Sequence, residues 1–421
     1  MKKVLIMGTG AQGSTVAQRL DEESGVGEII CADYDEKAVE SLVKVLKKGR
    51  GLKVDAEKYE EILKAAQGVD IIVNATPNHL GKPILDAALE VGVDYQDFSA
   101  PAYIVPGDQN EVWSDGIEVL YKDYGRKFRE KGRLAIVGTG AAPGIVCVMA
   151  RRAVRELDSC DTIIMFVYEG AEAKRFLPFW WSPIVALEDM MMPGYAYENG
   201  KLIRTVPFSN PVKRAFPEMG GREVEMIEHA HDEPIYMGFN ADGFFKGAKN
   251  IYFKYGGTGT NFSRPLFRAG LLSDKEVEVG GVKVVPFDVI YHHLPPAPKT
   301  REEIQAIVDE GLVTDFGACV IEAYGKKDGK DTMVDLHVDA PGFVDSFKKS
   351  GLTGEMYFTG QGGYLFTKML VEGKFDQKSL ITSDMLTDEQ VDYYLDCAKA
   401  LDITYKIDVT NKKLTEDLKI K

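Results

Sequence analysis

Lys2-Lys3-Val4-Leu5-Ile6-Met7-Gly8-Thr9-Gly10-Ala11-Gln12-Gly13 is the stretch that decides how the rest of the chain is read. Its apolar run has strand length and ends on the turn Gly8-x-Gly10-x-x-Gly13. A helical pattern carrying Val16 and Leu20 follows, and then a second apolar run, Glu28-Ile29-Ile30-Cys31-Ala32, stops on Asp33. Strand, glycine turn, helix, strand and acid is the order that a dinucleotide-binding βαβ unit requires.

Each position in that order has a physical task. Gly8 permits the tight turn out of the strand, Gly10 lets backbone approach a pyrophosphate, and Gly13 lets the helix pack closely on the sheet. The helix N-terminus at Ala11 and Gln12 presents free N–H groups and the positive end of a dipole to the phosphates. Asp33 lies 20 residues after Gly13, where a carboxylate accepts hydrogen bonds from the ribose hydroxyls and repels a 2′-phosphate. The expected cofactor is therefore NAD. Tyr34 joins the adenosine corner, Asp35 adds a second negative charge there, and no Arg stands at 34–36 to receive a phosphate. The bland alternative is a turn that binds nothing; the joint occurrence of both strands, helix and spaced acid argues against it.

Working outward, helical spacing covers 36–46 and 57–66, and Val69 to Pro77 reads as a buried parallel strand. Ligands in such sheets sit beyond the carboxyl ends of the strands, so Ala75, Thr76 and Pro77 should border the cofactor. Helices at 81–91 and roughly 110–131 alternate with strands at 94–99 and 134–138. This is a doubly wound α/β pattern, a dinucleotide-binding domain over 1–140. A second glycine turn, Gly138-Thr139-Gly140-Ala141-Ala142-Pro143-Gly144, lacks GxGxxG spacing and a Walker lysine. It reads as a domain crossover with a helix cap.

Beyond residue 155 the texture becomes strand-rich, with candidates at 162–168, 224–227, 248–255, 317–324 and 332–339. The last two read as a hairpin around Lys327-Asp328-Gly329-Lys330. An inserted α+β domain with a largely antiparallel sheet is expected over 141–351, for substrate and dimer contacts. The segment 352–421 returns to helices packed on the first domain.

Composition bounds the partners. The 421 residues predict two or three domains, and 45% hydrophobic and 28% charged content is that of a globular protein. A net charge of −14 with no basic block argues against nucleic acid or an anionic membrane. No apolar run approaches the ~20 residues of a membrane span, and the first strand begins at once, leaving no room for a signal peptide. Five scattered cysteines, Cys31, Cys147, Cys160, Cys319 and Cys397, form no CxxC pair. They read as core residues of a protein of the reducing cytoplasm.

With these pieces in order, the chain resembles the saccharopine dehydrogenase family, which includes saccharopine reductases and carboxynorspermidine dehydrogenases. The carriers are the glycine turn, Val73-Asn74-Ala75-Thr76-Pro77, Gly92-Val93-Asp94-Tyr95-Gln96-Asp97 and Ala142-Pro143-Gly144. Trp181-Ser182-Pro183, Leu187-Glu188-Asp189, Asn199-Gly200-Lys201, His231-Asp232-Glu233-Pro234, Gly270-Leu271-Leu272, Thr359-Gly360 and Glu372-Gly373-Lys374 continue it. The resemblance implies a Rossmann domain, an inserted substrate and dimer domain, and an NAD(P)-dependent enzyme acting at a carbon–nitrogen bond. Many relatives carry an acid where Ala142 stands, so any proton transfer made through that acid needs another group here.

Such chemistry removes hydride from Cα and a proton from the amine, or runs backwards, in a cleft between the domains. His229, His231 and Glu233 alternate along an expected strand onto one face, which sets imidazole beside carboxylate. Three readings stand: a substrate-lining proton-transfer group of His231 and Glu233, a His-x-His-x-Glu metal site, or a structural hydrogen-bonded pair. No metal is assigned. Asp97, at the end of its strand, is a candidate for the nicotinamide end or a loop cap, and His292-His293 reads as a structural turn into a helix. By charge alone Arg264, Arg175, Arg204 and Lys254 are candidates to bind a carboxylate. Trp181, with Trp180, Phe176 and Phe179, either walls the pocket or packs core and dimer surface. The leading expectation is an amino-acid-derived secondary amine as substrate of a cytoplasmic homodimer. A polyamine carboxylate is the runner-up, its cationic tail calling for acids such as Glu169, Glu172, Glu188 and Asp189; a non-catalytic NAD sensor is the rival.

Overall fold

The computed structural model describes residues 1–298, 300–352 and 354–414, grouped in two compact units. Unit 1 comprises Met1–Val148 and Met356–Leu401, and unit 2 comprises Met149–Glu355 and Asp402–Lys421.

Unit 1 is a seven-stranded parallel sheet. Its first six strands are β1 (Lys2–Met7), β2 (Val26–Asp33), β3 (Gly49–Lys53), β4 (Ile71–Asn74), β5 (Asp94–Asp97) and β6 (Ala135–Val137). The spatial order runs from the strand Leu380–Thr382 through β6, β5, β4, β1 and β2 to β3. The chain builds outward from β1 to β3 on one side, then restarts at β4 on the other. The reversal between β1 and β4 opens a crevice at their carboxyl ends, where a doubly wound sheet takes its ligand. Val4, Leu5, Ile6, Ile71, Ile72 and Val73 are fully buried there, as strands covered on both faces must be.

Two of the seven strands lie outside the pattern read from the sequence. The run Gly49–Lys53 carries two glycines, two charged residues and a single Leu at an edge, and Leu380–Thr382 is three residues long. The helix expected over 110–131 is broken into Gln109–Val119, a π turn Leu120–Tyr124, and Gly125–Glu130. The 18-residue helix Gly354–Val371 joins unit 1 from Met356 onward. It is fastened to unit 1 by Arg19 Nε to Gln361 Oε1 (3.0 Å) and by Thr367 Oγ1 to the buried Gln96 Oε1 (2.6 Å).

Unit 2 centres on a nine-stranded mixed sheet. Ser159–Glu169 pairs parallel with Asn250–Gly257 and antiparallel with Gly317–Lys327, so one central pairing departs from the antiparallel plan. The hairpin Gly317–Lys327 to Lys330–Asp339 turns on Asp328 (φ 49°) and Gly329 (φ 74°). Both residues have the positive φ that a two-residue hairpin turn demands. The strand Thr404–Thr410 pairs with Lys330–Asp339. Ile164, Phe166, Phe216, Met226, Tyr252, Val320 and Tyr324 form the core on one face of this sheet.

Candidate functional site

The candidate cofactor site lies where β1 meets β4. Gly8 turns at φ +91°, and a Cβ there would lie 2.6 Å from Ala75 O. A Cβ on Gly13 would lie 1.9 Å from Gly8 O, so the helix α1 (Ala11–Asp21) can seat only with glycine at that point. Gly10 differs: its Cβ would meet nothing within 4 Å. That open space, at the N-terminus of a helix with no acidic residue in its first turn, is what a pyrophosphate needs. Gln12 Oε1 beside it is buried without a partner among the described residues.

The Asp33 carboxylate is held in place by its neighbours. Its Oδ2 accepts from Thr9 N (2.7 Å) and Thr9 Oγ1 (3.0 Å), and its Oδ1 accepts from Asp35 N (3.0 Å). Thr9, the residue between the glycines, was not singled out from the sequence, though a hydroxyl facing the acid is its natural use. Asp35 does more than add charge: it caps the helix α2 (Glu36–Val43), accepting from Lys37 N and Ala38 N. Tyr34 beside it is 76% exposed and free to lie against a base.

At the next strand ends a buried network sets the turn Ala75, Thr76, Pro77. Asn74 Oδ1 accepts from Thr76 N (3.1 Å) and Thr76 Oγ1 (2.7 Å), and Asn74 Nδ2 donates to Asp97 Oδ2 (2.8 Å). Asp97 also accepts from Tyr95 Oη (2.5 Å) and Ser99 N (3.0 Å). Burial raises its carboxyl to about 6 against these hydrogen bonds. With both oxygens occupied, Asp97 positions the cofactor turn.

In unit 2 the strand Arg222–Glu228 ends one residue before His229, and Glu233 opens the helix Glu233–Phe239. The expected strand alternation of His229, His231 and Glu233 is therefore corrected. Asp232 adopts a helical conformation and Pro234 stands in the first turn, where its fixed φ starts a helix and cannot continue a ladder. The two side chains still meet: His231 Nδ1 lies 3.0 Å from Glu233 Oε2. Below them, Phe253 and Tyr255 point to one face of Asn250–Gly257. The His231 ring stacks on Phe253 at 3.9 Å, and His229 tilts on Tyr255 at 4.6 Å. Tyr255 Oη donates to Glu169 Oε2 (2.6 Å).

The environment splits the two imidazoles. Burial depresses both, but at His231 the Glu233 carboxylate, with Asp189 and Asp232, reverses this and raises it above 6.5. His229 has no such partner; burial and then the His231 charge hold it well below 6.5, neutral. Its ring nitrogens and Glu233 Oε1 are buried with no hydrogen-bond partner among the described residues. Burial also raises Asp189 to about 7 and raises Glu169, opposed by Tyr255, His231 and the Trp181 indole. An imidazole raised beside its carboxylate, a second imidazole lowered by burial and several carboxyls raised by burial are titrating groups pushed apart by their surroundings, a pattern that acid–base sites share. Burial pushes the Cys319 thiol up to about 12. Among the described residues no group of three or more His, Cys, Asp or Glu could hold a metal ion.

Trp181 hydrogen-bonds to Glu169 and packs against the apolar cluster of Phe179 and Leu187, while the candidate cations are engaged elsewhere. Arg175 pairs with Glu310 at the surface, Arg264 pairs with Glu225, and Lys254 is buried against Glu228. Arg204 lies over the Tyr195 ring, and His292-His293 ends the helix Pro286–His293. Glu169 and Asp189 had been open candidates only, and Tyr255 was missed. Its signal is its place two residues after Phe253 in one strand.

The fold and these two sites define a two-unit protein with a nicotinamide dinucleotide domain and an acid-rich, histidine-bearing second domain. Residues 4–136, within unit 1, match the family described as saccharopine dehydrogenase NADP binding domain. The chain is 26% identical over 401 residues to carboxynorspermidine synthase of Vibrio alginolyticus, covering 91% of this chain and 92% of that one. It is 24% identical over 387 residues to carboxyaminopropylagmatine dehydrogenase of a Synechocystis species, covering 90% and 91%. Saccharopine dehydrogenase (L-Glu forming) from Saccharomyces cerevisiae shares the fold, with TM-score 0.68 and 14% identity over 97% of this chain and 100% of that one. So does the Legionella pneumophila homospermidine synthase solved with NAD, with TM-score 0.64 and 11% identity over 100% and 93%. The resemblance expected from the sequence is thus met by the family model over residues 4–136 and by the relatives over about nine tenths of the chain, and these likenesses support an NAD(P)-dependent oxidoreductase acting on an amine or imine.

Proposed function

We propose that the protein uses NAD(H) to make or break the secondary-amine C–N bond of a carboxylated polyamine. The observation that carries this is the gathering of Glu169, Asp189 and Glu233 around two imidazoles on one sheet face. Carboxyls in that number fit a cationic amine chain, and the sequence similarity to two polyamine-carboxylate enzymes favours the same choice. The rival substrate, a secondary amine carrying several carboxylates, needs free cations, and Arg175, Arg264 and Lys254 are each paired.

In the reductive direction an imine between a primary amine and an amino-acid-derived aldehyde takes a proton on nitrogen. Its carbon takes hydride, and the C=N π pair becomes the amine lone pair. Bound NADH would supply the hydride. His231, charged and oriented by Glu233, is the donor of the proton; Glu169 and Asp189 hold the distal ammonium and orient the chain. The engagement of Asp33 by Thr9 and Asp35 supports NAD over NADP, since the fixed carboxylate would face a 2′-phosphate. The free thiols fit a cytoplasmic setting, and we extend the proposal to a homodimer, which sedimentation would check.

The test is turnover of NADH and NADPH with diamines plus a short amino-acid-derived aldehyde, compared with amino acids plus 2-oxo acids. Oxidation of NADH with a diamine is expected. Turnover confined to amino acid and 2-oxo acid would return the reading to the saccharopine type; NADH binding with no turnover would favour a sensor.

A further inference from the structure

We propose that the buried Lys254–Glu228 ion pair is a positioning device that fixes where His229 and His231 lie. Lys254 Nζ stands 2.5 Å from Glu228 Oε1 and donates to Asn210 O at 2.9 Å. The two side chains are 1% and 0% exposed. Desolvation pushes Glu228 up and Lys254 down against their mutual attraction, and replacing such a pair by apolar residues of like volume is often neutral or stabilising. Its use must therefore be sought in geometry.

The geometry supplies it. Arg222–Glu228 pairs with Asn250–Gly257 through two positions, Ile227↔Tyr255 and Glu228↔Lys254. A ladder this short specifies register weakly, and a slip of one residue exchanges the faces of the sheet. The residues that follow it are His229 and His231, whose rings rest on Tyr255 and Phe253, the neighbours of Lys254 that point to the opposite face. The same ammonium holds the loop before the ladder. Phe208 and Asn210 sit at φ 59° and 47°, a strained conformation that persists only where the surroundings over-determine it. Lys254 binds that loop at Asn210 O, and Glu228 N donates to Ser209 O at 3.1 Å. One buried charge thus joins loop, ladder and strand behind the imidazoles.

The activity part of the test rests on the proposed function; the spectroscopic part does not. Lys254→Met alone leaves Glu228 buried and unpaired, which destabilises the fold, so the decisive variant is Lys254→Met with Glu228→Leu, compared with the charge-swapped Lys254→Glu with Glu228→Lys. The apolar double variant should melt at or above the wild-type temperature and bind NADH as the wild type does. Its kcat should fall by about tenfold or more, and the His231 ring titration, followed by NMR, should move down toward its ordinary value. The charge-swapped variant should recover part of both. An apolar variant with wild-type kcat and an unmoved His231 titration would overturn the proposal. If the wild type turns over no amine, the function fails by itself, and the histidine titration still decides the positioning role.

Discussion

His231 Nδ1 lies 3.0 Å from Glu233 Oε2 across the N-terminal turn of a helix, with the carboxylate fully buried and the imidazole 18% exposed. The contact arises because the chain leaves its strand at Glu228 and winds up at Glu233, so the i and i+2 side chains converge without a pleat. A buried carboxylate beside a partly open imidazole gives a group held protonated above its ordinary range yet open at one edge.

Glu233→Gln tests that coupling. The folded-state pKa of His231 is raised, so its interaction stabilises the protein fully below 6.5 and is lost as pH rises through the folded value. The neutral amide removes the largest raising influence. The alkaline limb of kcat should move to lower pH and the stability advantage at low pH should shrink, with NADH affinity unchanged. An alkaline limb at the same pH in the variant would remove His231 from the proton-donor role.

Asp189 predicts a second pH effect, on binding. Its carboxyl, raised to about 7 by burial, loses its charge as pH falls through that value, and with it the attraction for an ammonium group. The amine concentration at half saturation should rise on acidification through pH about 7 in the wild type. Asp189→Asn should show the weak binding at all pH values. Identical KM–pH profiles for the two proteins would show that Asp189 does not face the amine.

Asp33 sets the cofactor prediction. Asp33→Ser removes a charged acceptor held at 2.7 Å from Thr9 N and should weaken NADH by about tenfold, the scale of one charge-assisted hydrogen bond. Adding Tyr34→Arg, at an exposed position beside it, should bring NADPH into use. Fluorescence titrations giving wild-type affinity for both cofactors would show that this acid does not touch the ribose.

Unit 1 was legible because its signals are local and dense: an apolar strand, three glycines at fixed offsets and an acid at the end of the next strand. The strands Gly49–Lys53 and Leu380–Thr382 were not, since one is polar at an edge and the other is too short to show a period. The second site was legible only in part. His231 and Glu233 are two residues apart, whereas Glu169 and Tyr255 meet only through the pairing of Ser159–Glu169 with Asn250–Gly257, and Asp189 comes from the separate helix Pro183–Met191. Charge counts placed Arg175, Arg264 and Lys254 at a ligand because nothing in sequence reveals Glu310, Glu225 and Glu228 as their partners.

Gly10 and Gly13 separate binding from folding within one motif. A methyl group at 13 would stand 1.9 Å from Gly8 O, and neither the strand end nor the helix can yield without unseating the other. Gly13→Ala should destabilise unit 1 by on the order of 3 kcal/mol, the upper range for overpacking, and lower the melting temperature. A methyl group at 10 meets no protein atom within 4 Å, and the residue is already extended at φ −66°, ψ −167°, open to any L-residue. Gly10→Ala should therefore melt as the wild type does and lose NADH affinity, because the only thing the methyl can strike is the dinucleotide. Equal affinity in a stable Gly10→Ala protein would place the pyrophosphate elsewhere and overturn the assignment of this turn.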